Sequence, residues 1–265
     1  MYKLVAIDVD DTLLNDELII SAANQAALQK AVEQGVTITL ATGRMYASAK
    51  QIARQINLDV PIITYQGALV KTLQDEVVLY SQSVPKEAAA IIADYAAMHQ
   101  LHLQFFIDDQ LYGLEDNEII QQYAQIRHIP YQIETDYKSL VTKPLNKLLI
   151  IDEQQDLDQI AKDLHQLTGQ ELNITKSKSS FLEITHPKGT KGHALQFLAE
   201  HIGCTMEETI AIGDSWNDHD MIELAGLGVA MGNATPQLKA IADYITATNN
   251  DDGVKEVIDK FVLHS

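Results

Sequence analysis

A chain of 265 residues, 46% hydrophobic and 21% charged, is long enough for one large or two modest domains around a sizeable buried core. Nineteen basic residues against thirty-seven acidic ones leave a net charge of -18, which argues against a nucleic-acid binder, built on basic patches, and disfavours docking on anionic membranes. The single cysteine, Cys204, rules out an intramolecular disulfide, and no run reaches the roughly 18 apolar residues of a membrane span, so a cytoplasmic location is the simplest expectation.

In chain order, Leu4 to Val9 is a short apolar run ending in acids, which predicts a buried parallel strand. Ser21 is placed to cap a helix through about Gln34, with Ala23, Ala26, Ala27, Leu28, Ala31 and Val32 as its apolar face and Gly35 as its stop. Val36–Ala41 predicts a second strand, Met45–Ile56 a helix and Val60–Thr64 a third strand. Strands alternating with helices predict an α/β sheet.

The middle has a different rhythm. Pro85 suits the first turn of a helix running to His99. Leu101–Ile107 and Leu111–Leu114 flank Asp108-Asp109-Gln110, a hairpin turn. A helix over Asn117–Arg127, a strand over Asn146–Ile151, a helix over Gln155–Thr168 and a strand pair, Glu171–Thr175 with Phe181–Thr185, complete an α+β segment inserted into the first domain. The α/β rhythm then returns. Helices are predicted over Lys191–Ile202, Asp218–Ala225, Pro236–Ala242 and from near Asp252, and strands over Thr209–Gly213, Gly228–Met231 and Tyr244–Thr246. Such a layout predicts a cleft at the carboxyl ends of the parallel strands.

Four segments there can carry chemistry. Asp8-Val9-Asp10-Asp11-Thr12-Leu13 follows the first strand, and carboxylates at i and i+2 can approach one point; a solvated loop with helix-capping acids would account for it equally well. Gly213-Asp214-Ser215-Trp216-Asn217-Asp218 follows another strand, and there Asp218 could cap the helix that begins near Met221. Asp8, Asp10, Asp214 and Asp218 converging would repel strongly and need a cation; all-oxygen ligands with water suit Mg²⁺. Thr42-Gly43-Arg44 offers a hydroxyl, a backbone N–H and a helix start as a phosphate cradle, or is an ordinary strand-to-helix turn. Lys188-Gly189-Thr190-Lys191-Gly192 sets two lysines among glycines, either for phosphate contact or as a charged, exposed turn. Arg44 and Lys188 are candidates for a second anionic or polar substrate contact. Phe105, Phe106, Tyr112 and Glu183 are candidates to face the cleft from the insert, but core is the favoured reading for most of the aromatics and for Phe105 or Phe106 in particular, since successive strand residues point to opposite sides. His219 reads as a helix-surface residue and Cys204 as a structural thiol.

The order and spacing of the four segments resemble the haloacid dehalogenase-like (HAD) superfamily of phosphotransferases over essentially the whole chain. The insert of roughly 100 residues, together with Ala225-Gly226-Leu227-Gly228-Val229-Ala230-Met231-Gly232-Asn233-Ala234, resembles the Cof-type branch. That resemblance implies an α/β Rossmann-like core, a parallel sheet with helices on both faces, over residues 1–82 and 188–265, with an inserted α+β cap over 83–187 that chooses the substrate. It implies a Mg²⁺-dependent phosphatase of sugar phosphates or other small phosphorylated metabolites, working through an aspartyl phosphate on Asp8. Asp10 would be acid and base. Thr42 and Lys191 would hold the phosphoryl oxygens, with Gly43, Arg44, Gln66, Gly67 and Lys188 as phosphate- or substrate-binding residues. Asp8, the Asp10 carbonyl and Asp214 would bind the metal, supported by Asn217 and Asp218. The branch often carries Asn-Gly after the third strand; Tyr65-Gln66-Gly67-Ala68 stands here, with the same amide one methylene further out. No nucleic-acid or membrane partner is expected, and the expected state is a monomer or weak homodimer. A phosphomutase on the same aspartate and a non-catalytic phosphometabolite sensor are the alternatives.

Overall fold

A computed structural model describes residues 2–57, 61–169 and 172–263. In chain order the elements are β1 (Leu4–Ile7), α1 (Ala22–Glu33), β2 (Thr37–Leu40), α2 (Tyr46–Gln55), β3 (Ile62–Thr64), β4 (Leu69–Lys71) and β5 (Val78–Ser81). The middle holds α3 (Lys86–Met98), β6 (His102–Ile107), β7 (Gln110–Gly113), α4 (Glu118–Arg127), β8 (Tyr131–Ile133), α5 (Tyr137–Leu140), β9 (Lys147–Ile151), α6 (Leu157–Thr168), β10 (Asn173–Lys178) and β11 (Phe181–Thr185). The chain ends with α7 (Lys191–Ile202), β12 (Thr209–Gly213), α8 (His219–Leu224), β13 (Leu227–Ala230), α9 (Pro236–Ile241), β14 (Tyr244–Ile245) and α10 (Gly253–Ile258).

The first and last segments build one five-stranded parallel sheet in the order β14-β13-β12-β1-β2. Its central strand, Leu4-Val5-Ala6-Ile7, is wholly buried because a parallel sheet is covered on both faces, which is why the strand reads as an unbroken apolar run. All five strands point the same way, so the loops after β1, β2 and β12 meet at one edge. Ser21 caps α1 by accepting from the Asn24 N–H at 3.0 Å. The inward face of α1 is Asn24, Ala27, Leu28 and Ala31; Ala26 and Val32, expected inside, face solvent because they fall off that 3.6-residue stripe.

The third predicted strand departs from expectation. Val60 lies outside the described residues. Ile62–Thr64 pairs antiparallel with β4, which pairs with β5, and β3 touches the main sheet only through an isolated Ala41–Ile63 bridge. The β4 and β5 strands escape a sequence reading because β5 is a surface strand with no buried residue to set a period.

The middle segment forms a six-stranded sheet, β10-β11-β9-β6-β7-β8, antiparallel except for the β7–β8 pair. Glu171, expected to open its strand pair, lies outside the described residues; the short β8 and α5 were not anticipated. One face of the sheet packs on α3 and α6 through Leu103, Phe105, Leu148 and Ile150. The other face carries Phe106, Leu149 and Ile151, meets α4 through Ile120 and Tyr123, and is continuous with the core of the parallel sheet. This shared apolar cluster seats the middle segment over the edge where the loops after β1, β2 and β12 meet. No helix among the described residues is long and apolar enough to cross a membrane.

Candidate active site

Asp8 is the first residue beyond β1 and Asp214 the first beyond β12, on adjacent strands. Between them sits Lys191, in the first turn of α7, where an ammonium opposes the helix dipole and so requires local anions. Its Nζ donates to Asp8 Oδ1 at 2.5 Å and to Asp218 Oδ1 at 2.6 Å, with the lysine fully buried. The other Asp218 oxygen accepts from the N–H groups of Asp214 (2.9 Å) and Ser215 (3.0 Å). Asp218 therefore holds Lys191 and its own loop in place, and its carboxylate caps backwards onto that loop rather than forwards onto the helix. Asn217 donates to Gln66 Oε1 at 2.9 Å.

Asp8, Asp214 and Asp218 each present a carboxylate oxygen, and these oxygens lie within 4.8 Å of one another. Burial, opposed by Lys191, pushes Asp8 up to about 7. Burial and then repulsion from Asp8 push Asp214 up to about 9. The Asp214 carboxylate accepts from the Thr12 hydroxyl at 3.1 Å. Buried carboxylates this costly to ionise, with oxygen donors only, fit a hard dication. Asp218, with both oxygens already engaged, fits a supporting role better than direct ligation.

The second loop is shaped by backbone strain next door. Tyr65, Gln66 and Gly67 are consecutively left-handed, with φ of 51°, 63° and 102°. A side chain at Gly67 would begin 2.0 Å from the Thr190 carbonyl oxygen, so only glycine fits. The turn drives Gln66 against Gly43, where its amide nitrogen takes the space a Cβ would need, 2.3 Å away. That buried nitrogen has no hydrogen-bond partner among the described residues. The Thr42 hydroxyl accepts from the Arg44 N–H at 3.1 Å.

Asp10 is bound from both sides. Arg44 donates from Nε (2.9 Å) and Nη2 (2.7 Å), and Arg127, on the last turn of α4 in the insert, donates from Nη1 at 2.5 Å. Burial alone would raise Asp10, but the two guanidiniums outweigh it and hold the carboxyl well below the usual carboxylate range. Lys147, at the start of β9, is fully buried; it donates to the Gly43 carbonyl at 2.7 Å and lies 2.7 Å from Glu183 Oε2, a close ionic contact without hydrogen-bond geometry. The other Glu183 oxygen accepts from the Ser177 hydroxyl at 2.7 Å.

These groups enclose a cavity of about 30 Å³ lined by Asp8, Asp10, Thr42, Arg44, Arg127 and Glu183 among others. That is room for a water or two. Gly43, Asp214 and Asn217 also reach it. Lys188 does not: it is exposed, its N–H donating to His186 Nδ1 and its carbonyl accepting from Tyr80, so the turn there is structural. Gln66 and Gly67 sit behind the cradle rather than on the cavity wall. Of the four insert residues named as candidates for the cleft, Glu183 alone lines it, and the aromatics pack in or against the core, as favoured for most of them. Phe105 packs on the far face of its sheet, Tyr112 packs against that same cluster, and Phe106 is buried edge-on to Tyr65 at 6.2 Å. His219 is a half-exposed helix residue 3.8 Å from Glu223, and Cys204 is buried. Arg127 and Lys147 were missed by the sequence reading. Their signals were faint: Arg127 is the one arginine of the insert, and Lys147 is a lone charge opening an apolar run.

The arrangement defines a phosphoryl-transfer hydrolase: a buried carboxylate beside a lysine, an acid cluster suited to a cation, and a closing layer. A family model described as haloacid dehalogenase-like hydrolase matches residues 5–258. The chain is 32% identical over 261 residues, 98% of its length and 96% of the relative's, to the 5-amino-6-(5-phospho-D-ribitylamino)uracil phosphatase YcsE of Bacillus subtilis. It superposes on a haloacid dehalogenase-like hydrolase from Bacteroides thetaiotaomicron with a TM-score of 0.87 and 31% identity, covering 98% of this chain and 99% of the other. It also superposes on the HAD subclass IIB sugar phosphatase BT4131 with a TM-score of 0.86 and 25% identity, covering 98% of each. The chain belongs to the haloacid dehalogenase-like hydrolases, in their Cof-type branch of phosphatases.

Proposed function

We propose that the chain is a Mg²⁺-dependent phosphatase that hydrolyses small phosphorylated metabolites, sugar phosphates or related monoesters, through an aspartyl phosphate on Asp8. The observation that carries this reading is the buried Asp8–Lys191–Asp218 chain, with Asp8 and Asp214 on the wall of the chamber. The relatives named as phosphatases of a phosphoribityl compound and of sugars support the substrate class.

Asp8 and Asp214, with the main-chain carbonyl of Asp10, would hold Mg²⁺, which when bound offsets the repulsion between carboxylate and phosphate. Lys191 and Thr42 bind the phosphoryl oxygens, and the Gln66 amide nitrogen, a donor with no partner among the described residues, backs the cradle at Gly43. An Asp8 oxygen attacks phosphorus, and the ester oxygen leaves with a proton from Asp10. Asp10 then takes a proton from water, the water oxygen attacks phosphorus, and Asp8 and inorganic phosphate are released. The ionised Asp10 held by Arg44 and Arg127 suits the second half. The first half requires Arg127 to give up its hold as the leaving group enters. The 30 Å³ chamber is far below the roughly 300 Å³ of a ligand pocket, so the insert, residues 83–187, acts as a cap that lifts over the core of residues 1–82 and 188–265 to admit substrate.

A screen of about a hundred phosphorylated metabolites with Mg²⁺ and phosphate release as readout tests the reading, as the metabolite range open to this family is broad. Release of inorganic phosphate over time, dependent on Mg²⁺, is the expected result; transfer to a sugar without release would make the chain a mutase, and binding without turnover a sensor. The metal site has its own test. Asp8 and Asp214 are raised, so near pH 6 they hold protons that a cation must displace, whereas near pH 8.5 Asp8 is free of its proton. The rise in melting temperature on adding Mg²⁺ is therefore expected to be larger near pH 8.5 than near pH 6. Equal rises at the two would remove these carboxylates from the metal site.

A further inference from the structure

The insert also grips the core away from the chamber wall. Asp109, in the turn between β6 and β7, accepts from the Tyr65 hydroxyl at 2.7 Å and from the Ala47 N–H at 3.1 Å, both at Oδ1. Tyr65 and Ala47 belong to the core and Asp109 to the insert. We infer that Asp109 is a latch: a positioning residue that holds the insert down on the empty site and sets how often it lifts. The inference rests on the reading of the insert as a cap that lifts, and not on the chemistry of the reaction.

Three observations carry it. The first is the helix that Asp109 reaches. The opening N–H groups of a helix lack intrahelical partners, and Met45, at the cap position of α2, makes no side-chain capping bond among the described residues. Ala47 lies in that first turn. A carboxylate 62 residues further along the chain thus supplies the cap that α2 lacks, with its charge at the positive end of the helix. The second is the turn. Asp108 and Asp109 are both left-handed, with φ of 48° and 59°, the pattern of a two-residue hairpin turn whose second position favours glycine. Asp109 stands where glycine would be less strained, and its carboxylate makes these two bonds outside the hairpin. The third is the partner. Tyr65 is fully buried, is itself left-handed with φ of 51°, and sets its ring edge-on to Phe106 of the insert. Burial and the neighbouring Asp109 push its phenol well above the usual range, so the hydroxyl keeps the proton it donates.

The strip that Asp109 holds leads to the reacting groups. Along residues 43–48, the Gly43 carbonyl accepts from Lys147 and Arg44 shares Asp10 with Arg127. The Ser48 hydroxyl donates to the Arg127 carbonyl at 3.1 Å and accepts from Arg44 at 3.2 Å. The Tyr65 N–H donates to the Arg44 carbonyl at 2.9 Å. Asp109 therefore fixes Arg44 from two sides, through the first turn of α2 and through Tyr65. Neither of its bonds involves a group on the chamber wall, so the latch closes the empty chain as well as the loaded one, and entry waits for its release.

Thiol labelling of the ligand-free protein tests the latch. Ser215 is 6% exposed and its hydroxyl donates to the Ser177 carbonyl of the insert at 3.4 Å, so Ser215→Cys puts a thiol where the insert covers the core through other residues. The natural thiol, Cys204, 8% exposed within the core, is the reference in the same chain. With reclosing faster than labelling, the rate at the introduced thiol follows the open fraction. Asp109→Gly removes both bonds and eases the turn. It is expected to speed labelling of the introduced thiol by at least about tenfold and to leave Cys204 within about twofold of its parental rate. Asp109→Asn keeps an oxygen that accepts both bonds, and its rate is expected within about threefold of the parent. Tyr65→Phe removes one donor and is expected to fall between the two. An unchanged rate in Asp109→Gly, a rate in Asp109→Asn equal to that in Asp109→Gly, or Cys204 accelerated by the same factor would overturn the latch. The assay involves no phosphate release, so each of these leaves the phosphatase reading standing, and a chain inactive as a phosphatase would leave the latch standing.

Discussion

Asp8→Asn is expected to abolish turnover while the protein stays folded. The amide fills the same volume and keeps an oxygen to accept from Lys191, so the buried contact at 2.5 Å survives. What disappears is the anionic nucleophile, and with it one charge from a crowded cluster. Phosphate release should fall by at least about 10⁴-fold, the scale seen when a nucleophile is removed from a machine that otherwise still binds. Melting temperature without Mg²⁺ should hold or rise, because burial and its acidic neighbours already disfavour the Asp8 carboxylate. A single-turnover assay on p-nitrophenyl phosphate decides the matter: a variant retaining a tenth of parental activity would mean that Asp8 is not the attacking group.

Lys191→Met is expected to damage stability as well as rate. Lys191 is fully buried and bridges Asp8 to Asp218, whose exposures are also near zero. Removing the cation leaves two buried carboxylates facing each other without compensation, a defect that costs about 3–5 kcal/mol. For a chain of this size that is a fall of roughly 6–20 °C in melting temperature. The sign of the pH dependence follows from the same geometry. Without Lys191 the folded-state Asp8 lies still further above its unfolded value, so the folded form binds more protons and gains stability as pH falls. The deficit against the parent should therefore shrink near pH 5.5 and be largest near pH 8. Thermal melts across that range check it; a deficit independent of pH would point to lost packing rather than to unpaired charge.

Much of the catalytic edge was legible before any coordinates. Acids directly after two apolar runs can only sit where strands end, and parallel strands put those ends together; hence Asp8 and Asp214 on neighbouring β1 and β12. The capping of α1 by Ser21 was equally local, a side-chain oxygen meeting an unpaired N–H three residues on. Lys188 and Lys191 show the limit. Three residues apart in one charged turn, they are alike in sequence, but one is an exposed turn residue and the other is buried between two aspartates.

The sequence by itself determined the parallel sheet, the presence of an α+β insert, and which loops carry the acids. These follow from apolar runs, caps and turns, all set by neighbours along the chain. The tertiary structure alone decided that Arg127, 117 residues from Asp10, closes on its carboxylate, and that Lys147 reaches the Gly43 carbonyl 104 residues away. It also decided that Phe105 and Tyr112 turn away from the site and that Glu183 faces it. The reason is that a charge's role depends on which opposite charge the packing brings within hydrogen-bond reach, and the packing of the insert's sheet on the catalytic edge leaves no periodic mark in either segment.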